Sequence, residues 1–316
     1  MNPMEWLTQT LAVAVALAAA PLFLGWINQC RAWLQNRTAP GILLPYRALV
    51  KLFHKDAVLA ESASPLFRAA PYVVFATMVT AAAIIPSTGT RLPFASAADA
   101  IALVGLFATA RVFLSLAAMD VGTAFGTLGA RREMMVGFLA EPALLMIIFV
   151  ASLISTTTAL PLISERLATQ SLGLYPSLAF TSVAFTMVLL AENARIPVDN
   201  PSTHLELTMI HEALLLEYSA RHLALMEWAA ALKLFNYACI GFALFIPWNT
   251  AMGQAGPEAL LVSVPLLGVK LLLAGLGLAL IETVSAKLRV FRAPEFMATA
   301  FLFAVLGLLV HLLLGA

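Results

Sequence analysis

Residues 134–157 read MMVGFLAEPALLMIIFVASLISTT. The stretch has one charge, Glu141, and no alternation of polar and apolar positions. About 20 mostly apolar residues cross a bilayer as a helix, whereas a membrane barrel shows alternating segments of about ten. The stretch therefore predicts a transmembrane helix. Seven more share its character: 4–28, 70–88, 98–119, 176–194, 223–248, 259–283 and 295–315. Across all 316 residues, 61% are hydrophobic, 11% are charged and the mean hydropathy is +0.92. An ordinary soluble domain has about 25% charged residues. A soluble enzyme, a disordered chain and a secreted disulfide scaffold are excluded. The expected fold is all-α. It is one integral membrane domain over 1–316, with about eight transmembrane helices and amphipathic helices in the cytoplasmic loops 29–69 and 195–222.

The charges set the orientation. Arg31, Arg37, Arg47, Lys51, Lys55, Arg68, Arg131, Arg132, Arg195, Arg221, Lys287, Arg289 and Arg292 follow the first, third, fifth and seventh spans. The opposite side has only Arg91 and Arg166. By the positive-inside rule the basic side is cytoplasmic and both termini lie outside. Glu5 precedes the first apolar core and Arg31 and Arg37 follow it, the reverse of a signal peptide. No 20–50-residue repeat is visible, which weighs against an inverted-repeat transporter. Cys30 and Cys239 are far apart and form no CxxC pair, so no zinc or iron–sulfur site is signalled.

Seven ionisable residues interrupt the spans or their ends: Arg111, Glu141, Glu192, Glu227, Lys233, Lys270 and Glu282. A central charge costs roughly 2.5–3.5 kcal/mol on insertion scales, so seven uncompensated ones would cost on the order of 20 kcal/mol. They must be paired, protonated or hydrated. Ion pairing between helices, with snorkelling of Glu192 and Glu227 at the edges, is one account. A hydrated proton path is the other. Pro142 removes the amide that would bond the carbonyl of Phe138, so a kink is expected beside Glu141.

Two loops add detail. In 46–55, YRALVKLFHK, helical spacing puts Leu49, Leu52 and Phe53 on one face, mostly away from Arg47, Lys51, His54 and Lys55. That is a basic amphipathic helix for a membrane surface or a partner groove. Residues 192–221 carry Glu192, Asp199, Glu206, Glu212 and Glu217 with His204 and His211. Ser202 or Thr203 can cap a helix there. On that helix Glu206 and Glu217 share a face, and His204 and His211 share the roughly opposite one. HEALL at 211–215 lacks the second histidine of a zinc-protease motif. No phosphate-binding loop and no basic–aromatic pattern for nucleic acid occurs.

Residues 37–41 (RTAPG), 45–52 (PYRALVKL), 131–134 (RREM), Glu141–Pro142 and the run from Glu192 to Arg221 carry a resemblance. Over essentially the whole chain they resemble the eight-helix membrane subunit shared by respiratory complex I and the energy-converting NiFe hydrogenases. Within that family they are most similar to the formate hydrogenlyase and hydrogenase-4 branch. The first loop, NRTAPG, is shorter than in complex I and lacks the repeated Gly-Pro that frames the quinone opening. The resemblance therefore does not bring a bound quinone with it. It implies a subunit with no cofactor of its own, sitting in the cytoplasmic (inner) membrane of a bacterium or archaeon. The NiFe centre and the iron–sulfur clusters would lie in partners: the hydrogenase large and small subunits and iron–sulfur subunits. Antiporter-like membrane subunits and lipid would flank it, with no nucleic acid. By matching motif, Glu141, Glu192, Asp199, Glu206, Glu212 and Glu217 form an acidic path for protons or sodium, joined by the in-span Lys233 and Lys270. Arg37, Arg47, Lys51, Arg131, Arg195 and Arg221 supply docking contacts or counter-charges. The alternatives are a quinone-site subunit of a complex I-like oxidoreductase, a passive anchor without an ion path, and an independent secondary transporter.

Overall fold

The computed structural model describes residues 3–90, 93–96, 99–169, 175–199, 210–248, 257–288 and 292–314. In chain order the helices are α1 (Pro3–Leu34), α2 (Leu44–Phe53), α3 (Pro65–Ile84), α4 (Ala100–Asp120), α5 (Ala124–Ser155), α6 (Leu160–Thr169), α7 (Pro176–Glu192), α8 (His211–Leu215), α9 (Ala220–Phe245), α10 (Pro257–Val284) and α11 (Ala293–Leu314). Among the described residues there is no strand, only an isolated bridge between Asp99 and Ala159. The protein is a polytopic membrane protein. Helix starts follow their sequence signals: Ser64, Asp99 and Thr123 each accept an amide hydrogen bond at the head of α3, α4 and α5.

Seven described helices are long and apolar enough to cross a membrane: α1, α3, α4, α5, α9, α10 and α11. The eighth expected span is α7, at 17 residues. At 1.5 Å per residue it reaches about 26 Å, short of a hydrocarbon core of about 30 Å. Its end at Glu192 is followed by buried irregular chain that includes Arg195, Val198 and Asp199. Non-helical backbone at membrane depth persists only inside protein or beside water.

α5 departs in the other direction. Its 32 residues start ten positions before the expected 134. It also runs through Pro142 as one helix.

α3 packs on α4 and α9, α5 on α4, α7 and α11, and α10 on α1. Lipid is no less apolar than a leucine face, so helices in a bilayer gain from interhelical hydrogen bonds and small residues. Side chains on one helix cap carbonyls on another: Gln9 to Ala83, Trp26 to Leu272, Trp228 to Leu17 and Asn236 to Met78. At the basic face, α2 lies against α1 and α9. Leu49 is buried and Phe53 meets Trp228 edge-on, as the spacing predicts. Tyr218 stacks on Phe67 and donates to its carbonyl, and burial raises its pKa above the ordinary tyrosine value.

Candidate functional site: a buried charge cluster beneath a polar cavity

Four helices bring their charges together. Arg111 on α4 faces Glu133 and Glu141 on α5 and Glu192 at the end of α7. Glu133 lies 3.5 Å away, and Glu141 and Glu192 hydrogen-bond the guanidinium directly. Lys233 on α9 reaches the other oxygen of Glu192 at 2.8 Å. Lys233 is thirteen residues into α9, roughly 20 Å from its head, so the cluster lies deep in the bundle. Gly137 makes room for it: a methyl group there would overlap the Arg111 guanidinium. Tyr237 is fully buried against the same carboxylate of Glu192.

The structure thus unites Glu141, Glu192 and Lys233 from the expected path. Glu192 does not snorkel at an edge. It is only 3% exposed, because the short α7 ends inside the bundle. Glu141 is the opposite case, with a third of its side chain exposed on the lateral face of α5, next to the exposed Phe138 and Pro142. Arg111 and Glu133 complete the cluster, and neither was among the expected path residues. Formally the five groups carry three negative and two positive charges.

Above the cluster, toward the basic face, lies a cavity of about 340 Å³. Its walls include Arg31, Arg195, Asp199, Glu212 and Glu227. Arg195 is buried and bonds Glu282 at 3.1 Å, and Arg31 approaches the same carboxylate at 3.5 Å. Burial lowers the Arg195 pKa from its ordinary value, with Glu282 opposing that shift. Asp199 accepts from the backbone amides of Ile210 and His211, both at 3.2 Å, and has Lys287 at 3.7 Å. Among the described residues its charged groups are set in a wall whose larger part is apolar, with Leu24, Leu215 and Leu234 contributing and the His211 ring also present.

Other expected residues lie elsewhere. Glu217 sits past the end of α8, half-buried in a turn. Glu206, and the helix expected to carry it, lie outside the described residues. Lys270 donates to the carbonyls of Ile246 and Trp248 at the far end of α9, away from the cluster. Arg37, Arg47, Lys51, Arg131 and Arg221 are exposed.

A short helix that ends at a membrane-buried ion cluster beneath a charge-lined cavity defines a class: polytopic membrane subunits with an ionic centre inside the helix bundle. The family model described as NADH dehydrogenase matches residues 7–313, and the chain belongs to that family. It is 32% identical to formate hydrogenlyase subunit 4 of Escherichia coli K12 over 304 residues, covering 96% of this chain and 98% of the relative. It is 35% identical to hydrogenase-4 component C of the same organism over 260 residues, covering 82% and 81%. Among solved structures, a chain of the archaeal membrane-bound sulfane sulfur reductase complex shares the fold at TM-score 0.82 and 19% identity, covering 96% of this chain and 98% of that one.

Proposed function

We propose that this chain is the membrane-embedded subunit of an energy-converting NiFe-hydrogenase complex of the formate hydrogenlyase or hydrogenase-4 kind. It anchors a peripheral redox arm and couples electron transfer to proton or sodium movement. The arm, with hydrogenase large and small subunits and iron–sulfur subunits, docks on the face carrying Arg37, Arg47, Lys51, Arg131 and Arg221. Antiporter-like subunits flank the helices. The membrane is the cytoplasmic one of a bacterium or archaeon, with both termini outside.

The observation that carries the coupling role is Glu192. It is held between Arg111 and Lys233, at the broken end of a helix whose next residues line a polar cavity. A unit charge appearing about 10 Å away at an effective dielectric of 20 changes a carboxylate's energy by about 1.7 kcal/mol. One pKa unit is about 1.36 kcal/mol, so such a charge shifts a carboxylate's pKa by about one unit. Asp199, Glu212 and Glu217 supply the upper part of the path, and Glu206 is assigned to the path by its sequence motif alone. Glu192, Lys233 and Glu141 supply the lower part, and Glu141 opens it toward a neighbouring membrane subunit.

The test is ion movement per hydrogen turned over, in proteoliposomes of the whole complex. Glu192→Gln and Glu141→Gln keep hydrogen-bonding shape and lose the titratable proton. Assembly should persist and ion movement should fall at least tenfold. Full coupling in both variants supports a passive anchor. Absence of a NiFe large subunit from the purified complex sinks the hydrogenase assignment.

A further inference from the structure

The 340 Å³ cavity does not meet the buried cluster directly. A second, smaller space of about 30 Å³ lies between them, lined by Arg111, Glu133, Lys233 and His211 among others. His211 also lines the larger cavity. So do Leu215 and Ala230, which line both spaces but cannot carry a proton. His211 is therefore the one titratable side chain common to both, among the described residues.

Its placement is fixed by backbone. The His211 amide donates to the Asp199 carboxylate at 3.2 Å, and Ile210 does the same. The loop carrying the cavity wall thus pins the start of α8. The imidazole itself has no hydrogen-bond partner among the described residues and is only partly buried. The inner space is large enough for a water, which needs about 10–15 Å³ and two to four polar partners. Glu133, Arg111, Lys233 and His211 provide those partners.

We infer that His211 is the proton relay between the charge-lined cavity and the buried cluster. This rests on the proposed coupling role. In the transfer one ring nitrogen of the neutral imidazole takes a proton from cavity water. The other nitrogen releases its proton through the inner water to the Glu133 carboxylate. The ring then returns to its first tautomer by rotation or by proton exchange with water. Imidazole is suited to this because it takes and gives a proton near neutral pH through two separate nitrogens. The groups facing it are Asp199, Glu212, Glu227, Arg31 and Arg195 on the cavity side, and Glu133, Arg111 and Lys233 on the inner side.

The experiment compares His211→Gln, His211→Ala and Glu192→Gln in proteoliposomes of the whole complex, with ion movement normalised to assembled complex. His211→Gln should lower proton movement per hydrogen turned over at least tenfold. Millimolar free imidazole should restore His211→Ala at least severalfold and leave His211→Gln unrestored, a difference that a purely structural histidine would not produce. In the unmutated complex, carbethoxylation of His211 by diethylpyrocarbonate, followed by mass spectrometry, should track the loss of proton movement. That measurement needs no variant to assemble. Full proton movement in His211→Gln, or in complexes fully modified at His211, overturns the relay. If Glu192→Gln is uncoupled while His211→Gln is not, only the relay fails. If neither is uncoupled, the coupling role itself fails.

Discussion

Glu192 and Arg195 are three residues apart, yet they serve two different ionic clusters. Glu192 faces inward to Arg111 and Lys233. Arg195 faces Glu282, with Arg31 beside the same carboxylate. The first cluster is made only of side chains on regular helices, and its carboxylates outnumber its bases. The second braces irregular chain: Arg195 and Asp199 lie in the loop, Asp199 holds two backbone amides, and Leu288 donates to the Pro197 carbonyl. Similar residue types do different work because of what surrounds them. A cluster with surplus carboxylate can hold an exchangeable proton. A cluster tied to backbone fixes geometry. The broken end of α7 joins the two, so a shift in the brace reaches Glu192 through three residues.

The inner cluster is most vulnerable at Arg111. Replacing it by Leu leaves Glu133, Glu141 and Glu192 with Lys233 as their remaining named counter-charge. Removing one partner of a buried ion pair costs about 3–5 kcal/mol. The expected outcome for Arg111→Leu is loss of the subunit from membranes, read as the yield of assembled complex. Adding Glu192→Gln should recover part of that yield, because it removes one of the stranded charges.

The brace responds differently. Glu282→Gln keeps a hydrogen-bond acceptor for Arg195 but removes the charge shared by Arg195 and Arg31. About 3 kcal/mol is lost at the loop. The expected phenotype is an arm that detaches in detergent while the membrane subunit still accumulates, measured by gel filtration of the solubilised complex. A normal arm with lost ion movement would assign the brace to the path instead.

Much of this was legible in the sequence, and the rest was not for identifiable reasons. The apolar runs located the crossing helices because length and composition alone determine them. Leu49, Leu52 and Phe53 were legible because a short surface helix is read by its spacing. Glu141 was singled out as a charge inside a span. Glu133 falls outside the apolar run, which begins at Met134, whereas the helix begins at Ala124. A signal for it existed: Glu133, Gly137 and Glu141 recur at intervals of four, so two carboxylates and the gap for Arg111 share one helix face. The meeting of Glu192 with Lys233 spans 41 positions and comes from helix packing, which no local pattern encodes.

Gly137→Ala disturbs the inner cluster more gently. The added methyl overlaps the Arg111 guanidinium and must displace it. Overpacking of this kind costs about 1–3 kcal/mol. Assembly should survive with a lowered melting temperature, and ion movement should fall more than stability does, because the displaced group is the counter-charge of three carboxylates. Equal losses in both would reduce Gly137 to ordinary packing.

The smallest effect is expected at Lys270, which looked like a path residue because it is a cation in a span. Its ammonium donates to the carbonyls of Ile246 and Trp248, at 2.9 and 2.7 Å, where α9 ends and its carbonyls lack helical partners. Arg166 treats the end of α5 in the same way, donating to the Ser155 carbonyl. Both cations serve helix ends on the side opposite the basic face. Lys270→Met should therefore cost about 1 kcal/mol, the net worth of a hydrogen bond, because the Ile246 and Trp248 acceptors are exposed, and leave ion movement per hydrogen unchanged. A coupling defect without loss of stability would move Lys270 from the helix end into the ion path, and would extend that path across the full depth of α9.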